Sequence, residues 1–139
     1  MREVLERELI LAMAAAASAR MRWGMDDCAL WAANVIQAAL GYDPAAKFRG
    51  HYRTRRGARR VLGGPGLPGA LRAAARRHQW VRVDPADARV GDIGLMAVDG
   101  ASCCVVCRTR GWFVGRTDEG FAAVKSGMIR IAWSVGSAV

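Results

Sequence analysis

The stretch Trp23-Gly24-Met25-Asp26-Asp27-Cys28, together with the run that follows it to Leu40, decides the fold of this chain. Apolar residues recur along the run with the i, i+3, i+4, i+7 spacing of a helix buried on one face: Cys28, Trp31, Ala32, Val35, Ile36, Ala39 and Leu40. Asp26 or Asp27 can cap the first turn, and Gly41 can end the helix. We therefore predict a core helix that begins near Cys28.

Cys28 falls in the first turn of this helix, and that position favours a thiolate. Free backbone N–H groups and the positive end of the helix dipole stabilise a negative charge there. The carboxylates of Asp26 and Asp27 oppose this effect. Cys28 is therefore a candidate nucleophile. The alternative is a small core residue, which is the commoner role of a free cysteine.

The N-terminal segment is rich in alanine and predicts a helix from about Arg2 to Met21. Its apolar positions would pack against the Cys28 helix; they are Leu5, Leu9, Met13 and Ala16 or Ala17. Glutamates near its start and arginines after its apolar run are unlike a signal peptide. The apolar run is also too short to cross a bilayer, which takes about 20 residues. We expect neither a signal peptide nor a membrane span.

The second half of the chain changes to the alternating pattern of strands. The predicted strands are Trp80–Val83, Val90–Val98, Ser102–Arg108, Gly111–Arg116, Phe121–Val124 and Arg130–Val135. Helices first and strands second predict the α+β class, with N-terminal helices packed on a small antiparallel sheet. A chain of 139 residues fits one domain, residues 1–139.

Residues 43–79, approximately, read as a helical, arginine-rich insertion. Three short helices are predicted: one starting at Asp43-Pro44-Ala45-Ala46, one from Thr54 to Leu62, and one from Pro68 to Arg77. The net charge of the chain is +9, and no acidic residue occurs between Lys47 and Arg82. Because charges nearly cancel elsewhere, the basic character belongs to this insertion.

The basic residues of the insertion predict a binding surface, and an acidic protein partner is the interpretation we favour. The residues assigned to this contact are Arg49, Arg53, Arg55, Arg56, Arg59 and Arg60. The alternatives are a solvated basic face and attraction to the phosphates of a nucleic acid. Trp112-Phe113-Val114, beside a turn, would add an apolar contact if it is exposed.

Three further cysteines are crowded at Cys103, Cys104 and Cys107, which is not the spacing of a disulfide framework. We expect reduced thiols of a protein made in a cytoplasm. On one strand, Cys103 and Cys107 share a face about 13 Å apart while Cys104 points the other way. One metal ion cannot collect all three without a bulge, so we expect no metal and no cofactor.

The order of these parts resembles the NlpC-type papain-like cysteine peptidases, through Asp27-Cys28-Ala29-Leu30 and Val90-Gly91-Asp92-Ile93-Gly94-Leu95-Met96. More closely, the chain resembles a family of phage and prophage tail-assembly proteins related to those peptidases. The pieces that carry this closer resemblance span residues 23 to 136; they are Trp23-Gly24-x-x-Asp27-Cys28, Gly41-x-Asp43-Pro44-Ala45-Ala46, Arg49-Gly50-x-Tyr52, Gly91-Asp92 and Ala132-Trp133-x-Val135-Gly136. The resemblance implies a papain-like core with Cys28 at the nucleophile position.

The sequence departs from the peptidase pattern at the catalytic histidine. Those enzymes need a histidine on the strand after the Gly-Asp strand, to take the thiol proton and return it to the leaving amine. Here that strand reads Ser102-Cys103-Cys104-Val105-Val106-Cys107, with Cys103 or Cys104 about where the histidine should be. His51 and His78 both precede the sheet. We therefore expect an inactive homologue of these peptidases.

Taken together, the resemblance implies a structural or assembly component of a phage-like tail, near the hub proteins at the tail tip. Its location would be the virion tail, after synthesis in the bacterial host cytoplasm. The alternative is an active NlpC-type cysteine amidase or peptidase that acts on peptidoglycan during DNA delivery. A basic nucleic-acid-binding protein is the third possibility.

Overall fold

The computed structural model describes residues 1–136; residues 137–139, which the single-domain prediction included, lie outside the described part. The helices are α1 (Arg2–Ala16), α2 (Cys28–Leu40), α3 (Arg55–Leu62) and α4 (Gly66–Arg77). The strands are β1 (Val81–Val83), β2 (Ile93–Val98), β3 (Ala101–Thr109), β4 (Trp112–Thr117), β5 (Gly120–Lys125) and β6 (Ile131–Ser134). They form one antiparallel sheet in the order β1-β6-β2-β3-β4-β5. The predicted α+β class is confirmed.

Helix α2 packs its apolar face on the sheet, as the spacing predicts. Trp31, Val35 and Ile36 are at most 4% exposed and lie in the main core with residues of β2, β3 and β4. Of the two candidate caps, Asp27 is the one used, since its carboxylate accepts a hydrogen bond from the Leu30 N–H at 3.2 Å. The helix ends before Gly41, which is left-handed.

Helix α1 packs Leu5, Leu9 and Ala16 into the main core against α2, as predicted. Its predicted end at Met21 is wrong, because the helix stops at Ala16. The buried Arg116 of β4 donates to the carbonyl of Ala16 at 3.1 Å and to that of Ala19 at 2.8 Å. A side chain from the sheet thus takes the carbonyls that a longer helix would bond within itself.

The insertion contains two of the three predicted helices. Helix α3 begins as expected, with the Thr54 hydroxyl accepting from the Gly57 N–H at 3.0 Å, and α4 begins slightly early, at Gly66. The helix predicted from Asp43 is wrong, because residues 44–50 form successive turns. Asp43 accepts from the Arg49 guanidinium at 2.8 and 3.0 Å, so this segment folds around an internal ion pair.

The Gly-Asp pair before β2 joins α1 to the sheet. Asp92 is 1% exposed and contacts the Arg2 guanidinium at 2.6 Å. It also accepts from the N–H groups of Arg89 and Val135, at 2.8 and 3.2 Å. Gly91 has a φ of +91°, and a Cβ there would lie 2.8 Å from the Leu5 side chain. The Gly91-Asp92 pair therefore helps to pack α1 on the sheet. Position 91 requires glycine, because its φ is positive and Leu5 lies too close for a Cβ.

All six predicted strands are present, with ends that differ by a few residues. The apolar contact predicted at Trp112-Phe113-Val114 shrinks to one residue, because Trp112 is 42% exposed while Phe113 and Val114 are in the core. Phe113 and Val114 point to opposite faces of β4 and lie in different core clusters, so both are buried. Within residues 1–136, no helix combines the length and the apolar character needed to cross a membrane.

Candidate functional site

Asp27 holds the start of α2 in place. Besides its cap bond, its carboxylate accepts from the Gly24 N–H and from the Tyr52 hydroxyl, each at 2.8 Å. Gly24 has a φ of +84°, and a Cβ there would lie 1.9 Å from the Tyr52 carbonyl oxygen. The tight approach of these two segments therefore requires glycine. Together these contacts determine where the next residue, Cys28, lies.

The Cys28 sulfur meets the first half of β3. Strand β3 pairs with β4 through Val106, Cys107 and Thr109, and Cys104, before this pairing, packs in the main core with residues of α2. The groups that act on the pKa of the Cys28 thiol are the Cys103 thiol and the backbone and thiol of Cys104. The side chain facing the candidate nucleophile is therefore a second thiol.

The interaction between Cys28 and Cys103 shifts the pKa values of the two thiols in opposite directions. The bond to Cys103, together with burial, raises the pKa of Cys28 well above its usual value. The same bond, assisted by the positive charge of Arg55, lowers the pKa of Cys103 to about 6. The two thiols are therefore coupled, and the ionisation of one disfavours the ionisation of the other.

The cause of the raised pKa of Cys28 differs from the one expected from the sequence. The expectation was repulsion by Asp26 and Asp27, whereas the causes are Cys103, burial and the nearby Cys104. The Asp27 carboxylate is occupied by its three hydrogen-bond donors. Asp26 accepts from the Arg22 N–H at 2.6 Å. Both carboxylates are therefore engaged in structure at the start of the helix.

Neither histidine serves Cys28. His78 stacks on Tyr42 with ring centroids 4.3 Å apart, and burial lowers its pKa. His51 is exposed in a separate depression beside α3. In the described part of the chain, the titratable side chains that set the pKa of Cys28 are thiols. No imidazole is thus among the groups that set the pKa of Cys28.

Cys28 lies in an open groove of about 510 Å³. One wall is α3 with the loop 63–66 that follows it, and the other is formed by Gly100, Ala101 and Ser102 at the start of β3. Arg55 and Arg59 line the α3 wall. The groove therefore sets two guanidinium groups in the same lining as the Cys28 thiol, an arrangement suited to a negatively charged or polar ligand.

The six arginines assigned to partner binding are used in different ways. Arg49 faces inward, with its guanidinium donating to the Asp43 carboxylate and, at 2.5 Å, to the side-chain oxygen (Oδ1) of Asn34. Arg55 and Arg59 belong to the groove. The others are exposed outside it: Arg53, Arg56 and Arg60. Partner binding stays a prediction for the set, and the fold itself already occupies Arg49.

The remaining cysteines are core residues on opposite faces of β3. Cys104 packs in the main core, and Cys107 in a second core cluster with Phe113. Burial raises the pKa of both thiols to about 12. Among residues 1–136, no three His, Cys, Asp or Glu side chains are grouped so that they could hold a metal ion. The chemistry of the site therefore rests on Cys28 and Cys103.

Tyr52 and Arg55 are the neighbours of this site that sequence reasoning did not place. Tyr52 belonged to the quoted pattern Arg49-Gly50-x-Tyr52, which was the available signal for its importance. Its link to Asp27 is a contact between segments far apart in the chain, so no periodicity reveals it. Arg55 was assigned to partner binding, whereas its charge acts on Cys103.

The fold and the position of Cys28 define an α+β domain of the NlpC/p60, papain-like type. The chain is similar to the crystal structure of the NlpC/p60 domain of the peptidoglycan hydrolase SagA, with a TM-score of 0.56 and 13% sequence identity. The match covers 93% of this chain and 97% of that one. The predicted papain-like fold is thereby confirmed.

By sequence, residues 2–135 match the family described as a domain of unknown function, DUF6950. The chain belongs to this family. A search of curated proteins found no match to this chain. Membership of a phage tail-assembly family stays a prediction.

Proposed function

We propose that this chain is an assembly component of a phage-like tail, built on an NlpC/p60-like fold whose cysteine site does not cleave peptide bonds. The observation that carries the loss of hydrolysis is the pairing of Cys28 with Cys103. The tail role is supported by the sequence pieces from Trp23 to Gly136 and by the basic surface of the insertion.

The cysteine pair lacks what acyl transfer requires. In a Cys-His site, the imidazole becomes a cation that stabilises the thiolate and then protonates the leaving amine. Cys103 is anionic when deprotonated, so ionising Cys28 beside it adds a second negative charge. The resting pair keeps the proton on Cys28, the residue that would have to attack. Peptide cleavage is therefore disfavoured at its first step.

Incubation of the purified protein with peptidoglycan, followed by chromatography of released fragments, tests the inactivity. We expect no release above buffer from the wild type, and the same result from Cys28→Ser. A Cys107→Ala variant controls for loss of a thiol outside the groove. Release that disappears in Cys28→Ser but persists in Cys107→Ala would contradict the proposal. It would favour an active peptidoglycan amidase, for which the open groove at Cys28 is the supporting observation.

The tail role predicts that exposed arginines outside the groove dock on acidic surfaces of hub or tip proteins in the virion. The double variant Arg56→Glu/Arg60→Glu should be excluded from particles, because attraction to the partner becomes repulsion. Arg72→Glu/Arg76→Glu makes the same charge change on the exposed side of α4. We expect the control to be incorporated and both variants to melt like wild type. Equal incorporation of both variants, measured by immunoblot of purified particles, would remove α3 from the interface.

A further inference from the structure

The groove at Cys28 runs along one face of α3. Four residues of this helix line the groove, and their i, i+3, i+4, i+7 spacing puts them on the same side of the helix: Arg55, Ala58, Arg59 and Leu62. With a rise of about 1.5 Å per residue, this face extends over about 10 Å. An extended polypeptide covers the same length with about three residues, at about 3.3 Å each. The wall therefore has the length of a short extended segment.

The charge that the groove offers to a ligand is positive. Arg55 and Arg59 are exposed, and within residues 1–136 neither of them forms an ion pair with a carboxylate. Asp27 also lines the groove, but it is 2% exposed and accepts hydrogen bonds from three donors of the protein. The two guanidinium groups are therefore left to pair with negative charges of a ligand.

We propose that the Cys28 groove is a docking site for an extended, acidic segment of a protein partner, which it holds without cleaving it. This inference deepens the proposed function and rests on it, because an active thiol would cut the bound segment. It adds a contact inside the groove to the exposed arginines of α3 outside it, Arg56 and Arg60. The groove that binds substrate in a peptidase would thus serve here to bind a partner.

The spacing of the two arginines defines the acidic pattern of the segment. Arg55 and Arg59 are four residues apart on α3, which separates their Cα atoms by about 6 Å along the helix axis. In an extended segment, side chains on one face recur at every second residue, about 6.6 Å apart. Two carboxylates separated by one residue therefore reach both guanidinium groups, whereas adjacent carboxylates point to opposite faces. The segment should contain an acidic residue, any residue and a second acidic residue.

Beyond Arg59 the groove becomes apolar and its rims are small. Leu62 and Leu67 line this end, so an apolar residue next to the acidic pair would contact them. Gly64 and Gly100 lie on the two rims, and a Cβ added at either would meet nothing within 4 Å. The backbone at these rims is therefore accessible to the main chain of an extended segment, whose N–H and C=O groups need partners when it binds.

Titration of the isotope-labelled chain with two end-capped peptides, followed by NMR, tests the docking. Ser-Val-Glu-Ala-Glu-Val-Ser should shift the amide signals of Gly63, Gly64 and Gly100 in the groove and leave those of Gly41 and Gly111, outside it, unchanged. Ser-Val-Ala-Glu-Glu-Val-Ser has the same composition with adjacent carboxylates. It should bind about fivefold more weakly, because one ion pair is lost. Equal affinities would overturn the acidic pattern, and unshifted groove signals would overturn the docking.

Substitution of single arginines identifies the charges that hold the segment. Arg55→Gln and Arg59→Gln should each weaken binding of the first peptide about fivefold. Arg72→Gln removes the same charge from the exposed side of α4, outside the groove, and should leave the affinity unchanged. All three positions are exposed, so we expect each variant to melt like wild type. Equal weakening by Arg72→Gln would mean attraction to the net charge of the chain and would contradict docking in the groove.

Mass spectrometry of the peptide after titration separates a failure of docking from a failure of the proposed function. We expect the first peptide to be recovered uncut. An uncut peptide that shifts no groove signal would overturn the docking alone. A peptide that is cut by wild type and not by Cys28→Ser would contradict the inactive site, and the docking with it. A thymidine pentanucleotide or a soluble peptidoglycan fragment that shifts the groove signals at lower concentration than the peptide would overturn the assignment to a protein segment.

Discussion

Two buried carboxylates in this molecule follow left-handed glycines, and they are held in different ways. Asp92, next to Gly91, has a cation at its side, since the Arg2 guanidinium lies 2.6 Å from it. Asp27, three residues after Gly24, accepts from two backbone N–H groups and from the Tyr52 hydroxyl, all neutral. They are 1% and 2% exposed, so the difference is one of partners and not of burial.

The difference in partners matches a difference in task. The Asp92 pair joins the first helical turn of the chain to the sheet through one strong, charge-neutral contact. Asp27 instead positions the helix that carries Cys28, and its charge helps to raise the pKa values of Tyr52 and Cys104. Neutral donors let a carboxylate organise a site without bringing a cation against the thiols. Four substitutions test this comparison. They run from a buried carboxylate with no partner to a partly exposed carboxylate that loses one cation.

The largest effect should come from a carboxylate with no partner. Ile36 is 0% exposed in the main core, so Ile36→Asp places a carboxyl where nothing donates to it. The cost is comparable with the total stability of a domain, about 5–15 kcal/mol, and we expect no soluble folded protein. Gln37→Asp, at the exposed neighbouring position, should fold. A cooperatively melting Ile36→Asp variant would show that the core face of α2 is misassigned.

Removing the cation from Asp92 should be the next largest effect. Arg2→Met leaves a buried carboxylate without its counter-charge, and we expect a loss of about 3–5 kcal/mol in denaturant unfolding. Arg2→Met/Asp92→Asn, which removes both charges, should recover a substantial part. The exposed Arg7→Met is the matched control, with a change within about 0.5 kcal/mol. A double variant no more stable than Arg2→Met would argue against an ion-pair role.

Loss of one neutral donor from Asp27 should cost less. Tyr52→Phe removes a hydrogen bond to a charged group, with an expected loss of about 1.5–3 kcal/mol. A double-mutant cycle with Asp27→Asn, measured by urea denaturation, isolates this bond from the packing of the ring. Additive effects of the two substitutions would show that the hydroxyl does not stabilise Asp27.

The smallest effect should belong to a less buried ion pair. Asp43 and Arg49 have side chains 11% and 29% exposed, and we expect Arg49→Met to cost about 1 kcal/mol at neutral pH. The bond to Arg49 lowers the pKa of Asp43 below its ordinary 3.8. A depressed carboxyl pKa stabilises the fold above the ordinary value and ceases to do so as pH falls through the lowered one.

Urea denaturation across pH checks this linkage. The stability difference between wild type and Arg49→Met should be constant from pH 7 to about pH 5 and shrink below about pH 4. Arg53→Met, an exposed arginine nearby, should show no such pH dependence. A difference that persists at low pH would mean that Arg49 acts through packing of its alkyl stem.

These regions also show which structural features a sequence pattern can predict and which it cannot. The spacing of Trp31, Val35 and Ile36 predicts the buried face of α2 because residues three and four apart share one side of a helix. Caps such as Asp27 and Thr54 were predictable since each bonds a backbone group a few residues away. By contrast, the end of α1 depends on Arg116, which is distant in sequence, and propensity alone extends that helix too far.

The candidate site likewise has features that the sequence predicts and features that depend on tertiary contacts. The sequence by itself determined the α+β class, the core helix that begins at Cys28, and the absence of a histidine from the third strand, because these depend on local periodicity and residue identity. Only the tertiary structure decided that Cys103 faces Cys28, that Arg49 turns inward, and that Arg55 lies beside the thiols. Each of these is a contact between separate elements, set by how α2 and the insertion pack on β3, and short-range sequence patterns carry no record of that packing.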